Sequence, residues 1–173
     1  MLTKFTKWWG LMLMGFPLAA WSASNDAHWD YLKSSALKWS TYDKSTLQKA
    51  RKLKRPLFVL VYLDTCHWCR KYETETLESS RVLKRLRADY LPVAVNSTLQ
   101  PEVAKTLGAQ MVPTTILLTP EGRKMAKFMS FVSERDLADI LDANLYRWRK
   151  GEVFGEDFGA PEVCCPIDEN QKP

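Results

Sequence analysis

Two thiols set three apart, Cys66 and Cys69 in the run Cys66-His67-Trp68-Cys69, are the residues of this chain best placed to do chemistry. They follow an apolar run, 57–63, and open a charged, helix-prone stretch, 70–75. At a junction between a buried strand and a helix, such a pair can close a small disulfide ring. The first thiol then lies on the helix's free N–H groups, whose partial positive charge favours thiolate over thiol. Thiolate is the form that attacks disulfides, so the pair reads as a redox centre. A structural disulfide and half of a metal site are the competing readings. A zinc site needs further ligands at suitable spacing, and His28 and His67 are the only histidines in the chain. No metal site is expected.

A second thiol pair, Cys164-Cys165, stands in a Gly- and Pro-punctuated stretch followed by Pro166. Adjacent cysteines can close a strained vicinal disulfide, join a partner chain, or offer two soft thiolates to copper(I). A tail of this length can also fold back and exchange with Cys66 and Cys69 as an internal relay. Two exposed thiols without a role are the bland reading.

The elements that must position these thiols follow from periodicity and caps. Asp43 or Ser45 can cap a helix running to about Lys54, with Leu47, Ala50 and Leu53 inward. Pro56 stops it, and 57–63 lacks polar alternation, as a strand covered on both faces does. A helix is expected from the first thiol pair to about Leu77, and another over 79–89 with Val82, Leu83, Leu86 and Tyr90 inward. Strands are expected at 91–96 and 114–118, with a short proline-initiated helix at 101–107 between them and Gly108 as its stop. Pro120-Glu121-Gly122 turns the chain into 123–131, making a hairpin. Ser133 and Asp136 resemble a capping box for a last amphipathic helix through Trp148. Residues 25–40 fit either a helical face (Trp29, Leu32, Ala36, Trp39) or a short edge strand (Leu37, Trp39). This order calls for an α/β fold, a mixed sheet with helices on both faces.

The 173 residues are 46% hydrophobic and 26% charged, which suits one globular domain with a real core. Lys4 and Lys7 precede an apolar run, 8–20, of signal-peptide length, and Ser22 and Ser24 offer cleavage positions. The expected division is a signal peptide over 1–24, a domain over 25–150 and an irregular tail over 151–173. An uncleaved anchor is the alternative. No cysteine near the leader offers a site for lipoprotein-type acylation. Without Lys4 and Lys7 the net charge of +5 falls to 23 − 20 = +3, interspersed, so nucleic acid is not an expected partner. The run Lys49, Arg51, Lys52, Lys54 and Arg55 reads as a solvated helix face, with an acidic partner or membrane surface as the outside alternative.

Over roughly residues 39–148 the chain resembles the thioredoxin superfamily. The Cys66–Cys69 pair after a buried strand, Met111-Val112-Pro113-Thr114-Thr115 some 45 residues later, and the hairpin at Pro120-Glu121-Gly122 carry the resemblance. The stretch 50–57 followed by 66–72 looks most like exported members, including the C-terminal domain of transmembrane electron-transporting reductases. The resemblance implies a thioredoxin-like three-layer sandwich. It implies that Cys66 is the nucleophile, that Cys69 resolves the mixed disulfide, and that Pro113 is cis, with the Val112 backbone pairing with an extended substrate segment. His67 and Trp68 would tune the potential or contact the substrate. Two departures stand out. Leu60 occupies the position where thioredoxins hold a buried acid, and His-Trp replaces Gly-Pro between the cysteines. The leader and the resemblance together imply a periplasmic thiol–disulfide oxidoreductase without a cofactor. It would act on protein dithiol and disulfide substrates, as a reductase recharged by an inner-membrane electron donor. An oxidase or isomerase of the same fold, or a thiol-based copper-handling protein, are the alternatives.

Overall fold

The computed structural model describes Leu32 and residues 34–155. The leader over 1–24, His28, Trp29 and the Cys164-Cys165 pair lie outside the described residues. Five strands form one sheet in the order β1-β3-β2-β4-β5: β1 (Ser40–Thr41), β2 (Leu57–Tyr62), β3 (Leu91–Asn96), β4 (Thr114–Leu118) and β5 (Lys124–Met129). β3 runs parallel to both β1 and β2, with Leu57 opposite Leu91 and Tyr62 opposite Asn96. β4 is antiparallel to both β2 and β5, so the sheet is mixed as expected.

Among the described residues five α-helices flank the sheet: α1 (Lys44–Leu53), α2 (His67–Tyr72), α3 (Ser80–Asp89), α4 (Pro101–Thr106) and α5 (Glu134–Arg149). Their starts follow the short polar residues that precede them. Asp43, Ser79 and Ser133 each accept a backbone N–H of the first turn, which satisfies a donor the helix cannot pair internally. Gly108 ends the α4 segment at φ +67, a backbone region that suits glycine.

Alternate residues of the central strands face opposite sides and build two cores. Phe58, Leu60 and Tyr62 face α2, α3 and α5 in a cluster with Cys69, Tyr72 and Leu141. Leu57, Val59 and Val61 face α1 and α4 in a second cluster with Leu47, Ala50 and Ala104. β2 is buried on both faces along its length, which explains the absence of polar alternation. The result is the three-layer α/β sandwich expected from the resemblance.

Three details depart from the sequence reading. The helix after the thiols does not run unbroken to Leu77; α2 ends at Tyr72 and Glu73–Leu77 winds as a π-turn. The ambiguous 25–40 region contributes Leu37 to the core and leads into the two-residue strand β1, one position beyond the expected segment. The irregular stretch from Gly151 is not wholly free of the domain, because Phe154 packs into the first core cluster.

Candidate active site

β2 aims the chain out of the sheet at its C-terminal end, and Leu63, Asp64 and Thr65 carry it over to α2. Cys66 is the N-cap of that helix, and its Sγ accepts the backbone N–H of Cys69 at 3.0 Å. The two cysteines are joined as a disulfide with their Cα atoms 5.2 Å apart. Their environments differ sharply. Cys66 is half-buried and reaches the surface, whereas Cys69 is fully buried in the first core. When the bond is reduced, Cys66 presents a sulfur to solvent at a helix start, and Cys69 holds one behind it.

Opposite Cys66 lies the loop before β4. The Val112–Pro113 bond is cis, as the resemblance implies, and Val112 O lies 3.9 Å from Cys66 Sγ. Thr114 donates its hydroxyl to Met111 O at 2.6 Å, tying the loop to the strand that follows. Val112 is half-buried and Met111 is 52% exposed. A half-open cleft thus runs between the first cysteine and a stretch of backbone.

The pair between the cysteines points outward. His67 and Trp68 are both exposed, their rings in edge contact at 5.9 Å. Trp68 is 55% exposed, which favours a contact role over simple packing beneath the helix. Lys71 places its ammonium 5.2 Å from the Trp68 ring centroid and 5.6 Å from that of Phe131, an arrangement that holds the indole at the rim of the cleft.

Leu60 is fully buried in the same core cluster as Cys69, so the acid position of thioredoxins is filled by a hydrocarbon. Asp64 does not replace it; its side chain is exposed and accepts Asn96 Nδ2 at 2.9 Å. The sequence reading missed Glu73, one helical turn beyond Cys69. It is 4% exposed and lines a cavity of about 510 Å³ with Arg70 and Glu78. Burial, reinforced by the charge of Glu78 and opposed by Arg70, pushes its carboxyl up to about 8. The only hint in the sequence was its place on the inward face one turn after Cys69. Tyr62, at the end of β2, is pushed up to about 12 by burial and then by the charge of Asp64.

Among the described residues no three His, Cys, Asp or Glu side chains cluster so as to hold a metal ion, and no helix is long and apolar enough to cross a membrane.

Comparison with known proteins agrees with this geometry. The human Spermatogenesis-associated protein 20 is 33% identical over 67 residues, 39% of this chain and 8% of that protein. An uncharacterized Caenorhabditis elegans protein is 28% identical over 96 residues, 51% of this chain and 13% of that protein. The chain thus matches only a small part of these much longer relatives. Among solved structures, a DsbH oxidoreductase aligns with TM-score 0.55 at 17% identity, over 66% of this chain and 88% of that one. A thioredoxin from Thermus thermophilus gives 0.52 at 20%, over 66% and 91%. The oxidised Neisseria meningitidis DsbD C-terminal domain gives 0.51 at 14%, over 61% and 99%. These likenesses establish the thioredoxin-like fold. A family model, Thioredox_DsbH, described as "Protein of unknown function, DUF255", matches residues 23–144; the chain belongs to that family, within the thioredoxin superfamily.

Proposed function

We propose that this chain is a periplasmic protein-disulfide oxidoreductase that works as a reductase through Cys66 and Cys69. The observation that carries the reading is the contrast between the two sulfurs. Cys66 is open at a helix start beside the Val112 backbone, and Cys69 is fully buried 5.2 Å away between Cα atoms. In the reduced protein the Cys66 thiolate attacks one sulfur of a client disulfide. The client S–S bond breaks, a mixed disulfide forms, and the departing client sulfur takes up a proton. Cys69 then gives up its proton and attacks Cys66 Sγ. The intramolecular disulfide closes, the second client thiol leaves, and two electrons have passed to the client.

Val112 offers backbone for an extended client segment to pair with as an added strand, and Trp68 offers an aromatic contact at the rim. An inner-membrane dithiol donor would return the pair to its reduced form. The basic start and apolar run of residues 4–20 support export. The resemblance of 50–57 and 66–72 to exported reductase domains supports the direction.

The test is reduction of insulin by dithiothreitol with catalytic amounts of protein, together with a Cys69→Ala trap expressed with its leader. Accelerated precipitation and mixed disulfides on Cys66 are expected. A protein that leaves the insulin rate at background and captures no client is not a dithiol exchanger. A reduction potential above that of typical protein disulfides would keep the chemistry and reverse the direction.

A further inference from the structure

At the opposite pole of the sheet from the cysteines, a groove of about 530 Å³ opens between α1, α3 and the start of β3. Its lining holds four cations, Lys38, Lys49, Arg55 and Arg87, and no carboxylate among the described residues. Its floor is apolar, with Leu53 left 47% exposed. Neither Lys38 nor Lys49 has an ion-pair partner among the described residues. Arg55 turns its Nη2 to the carbonyls of Leu86, Arg87 and Tyr90 at the end of α3, while its buried Nε has no hydrogen-bond acceptor among the described residues. Charge concentrated over hydrocarbon in this way suits a ligand that is both acidic and apolar.

This chain contains such a segment. Residues 156–173 hold Glu156, Asp157, Glu162, Asp168 and Glu169 against Lys172 alone, 1 − 5 = −4, interleaved with Phe158, Val163 and Ile167. The segment also starts close by. Arg149, at the end of α5, donates to Asp89 at 2.7 Å, at the end of α3 and one residue before Tyr90 of the groove. Phe154 is anchored in the core just before the segment begins, under the Arg147 guanidinium. An extended chain covers about 3.3 Å per residue, so the acids have ample reach.

We propose that the acidic segment 156–173 docks in the Lys38–Lys49–Arg55–Arg87 groove of its own chain. Docking keeps Cys164 and Cys165 at the β2 and β3 starts, about 20 Å, or six strand residues, from the end where Cys66 emerges.

The test uses the full-length chain in low salt with a zero-length carbodiimide, which joins lysines to carboxylates in contact, followed by peptide mass spectrometry of the monomer. Amide links from Lys38 or Lys49 to the acids of 156–173 are expected, severalfold above links from Lys105, an exposed lysine of α4. They should disappear in 0.5 M salt, where electrostatic attraction is short-ranged. Links spread equally to Lys105, or no links at all, would overturn the proposal. So would links found only between chains in a mixture of isotopically light and heavy protein, which would assign the groove to a second copy.

Discussion

Cys66 Sγ accepts the backbone N–H of Cys69 at 3.0 Å, so the sulfur that faces solvent is held by the helix it caps. That donor is one of those an α-helix leaves unpaired at its start. In the reduced protein the same N–H, with the partial positive charge of the first turn, favours the thiolate of Cys66 over its thiol. Cys69 receives no such help, since it is enclosed by the first core.

The reduced, folded protein should therefore show two distinct thiol reactivities. With iodoacetamide at pH 7, Cys66 is expected to react at least about tenfold faster than free cysteine, whose pKa is near 8.5. Cys69 should react only after denaturation. Equal rates at the two positions, read by peptide mass spectrometry, would refute the assignment of nucleophile and resolving thiol.

Trp68 offers a separate test, because it is exposed, touches His67 and sits beneath the Lys71 ammonium without entering the core. Trp68→Ala should leave the unfolding free energy within the roughly 0.5 kcal/mol typical of surface changes. It should raise the KM for a protein disulfide severalfold, with little change in the rate toward a small disulfide. A stability loss on the scale of a core aromatic deletion, about 3 kcal/mol or more, would make the indole a packing residue instead.

Much of this arrangement was legible before any coordinates. The apolar runs at 57–62 and 91–96 name the central strands because both faces of each are covered, and the short polar caps Asp43, Ser79 and Ser133 mark helix starts by a local hydrogen bond. The strand-to-helix position of Cys66 depends on those same local signals. What escaped depends on distant contacts. β1 is two residues long and exists through pairing with Val93 and Ala94. The π-turn lies in Glu73-Thr74-Glu75-Thr76-Leu77, a run that looks like an exposed helix face. Tertiary packing there buries Glu73, Thr76 and Leu77.

The buried carboxyl of Glu73 makes a pH prediction. Its folded pKa is raised from the ordinary 4.5 to about 8, chiefly by burial. Between those values the folded protein holds a proton that the unfolded chain has released. Stability from this group is thus complete below about pH 4.5 and declines as pH rises toward 8. Glu73→Gln should remove that decline, giving a gain over wild type at pH 9 on the order of 1–2 kcal/mol and little difference at pH 5. Urea midpoints at the two pH values measure it. A wild-type-to-variant gap independent of pH would show that Glu73 is ionised throughout.

Thr76 anchors the π-turn across the fold, donating its hydroxyl to Val132 O at 2.7 Å from a fully buried position. Val132 follows Phe131, whose ring meets Tyr72 edge-on and carries the Lys71 ammonium. Thr76→Val keeps the side-chain volume and removes the donor, leaving the Val132 carbonyl without this partner. The cost of such a loss is about 1–2 kcal/mol, or a fall in Tm of a few degrees for a domain of this size. Thr74→Val is the control, because the Thr74 hydroxyl bonds only to the exposed Arg70 and Lys71 carbonyls of the preceding turn and should shift stability by less than about 0.5 kcal/mol. If the two variants lose stability equally, the π-turn is held by apolar packing of Leu77 and not by the Thr76 hydrogen bond.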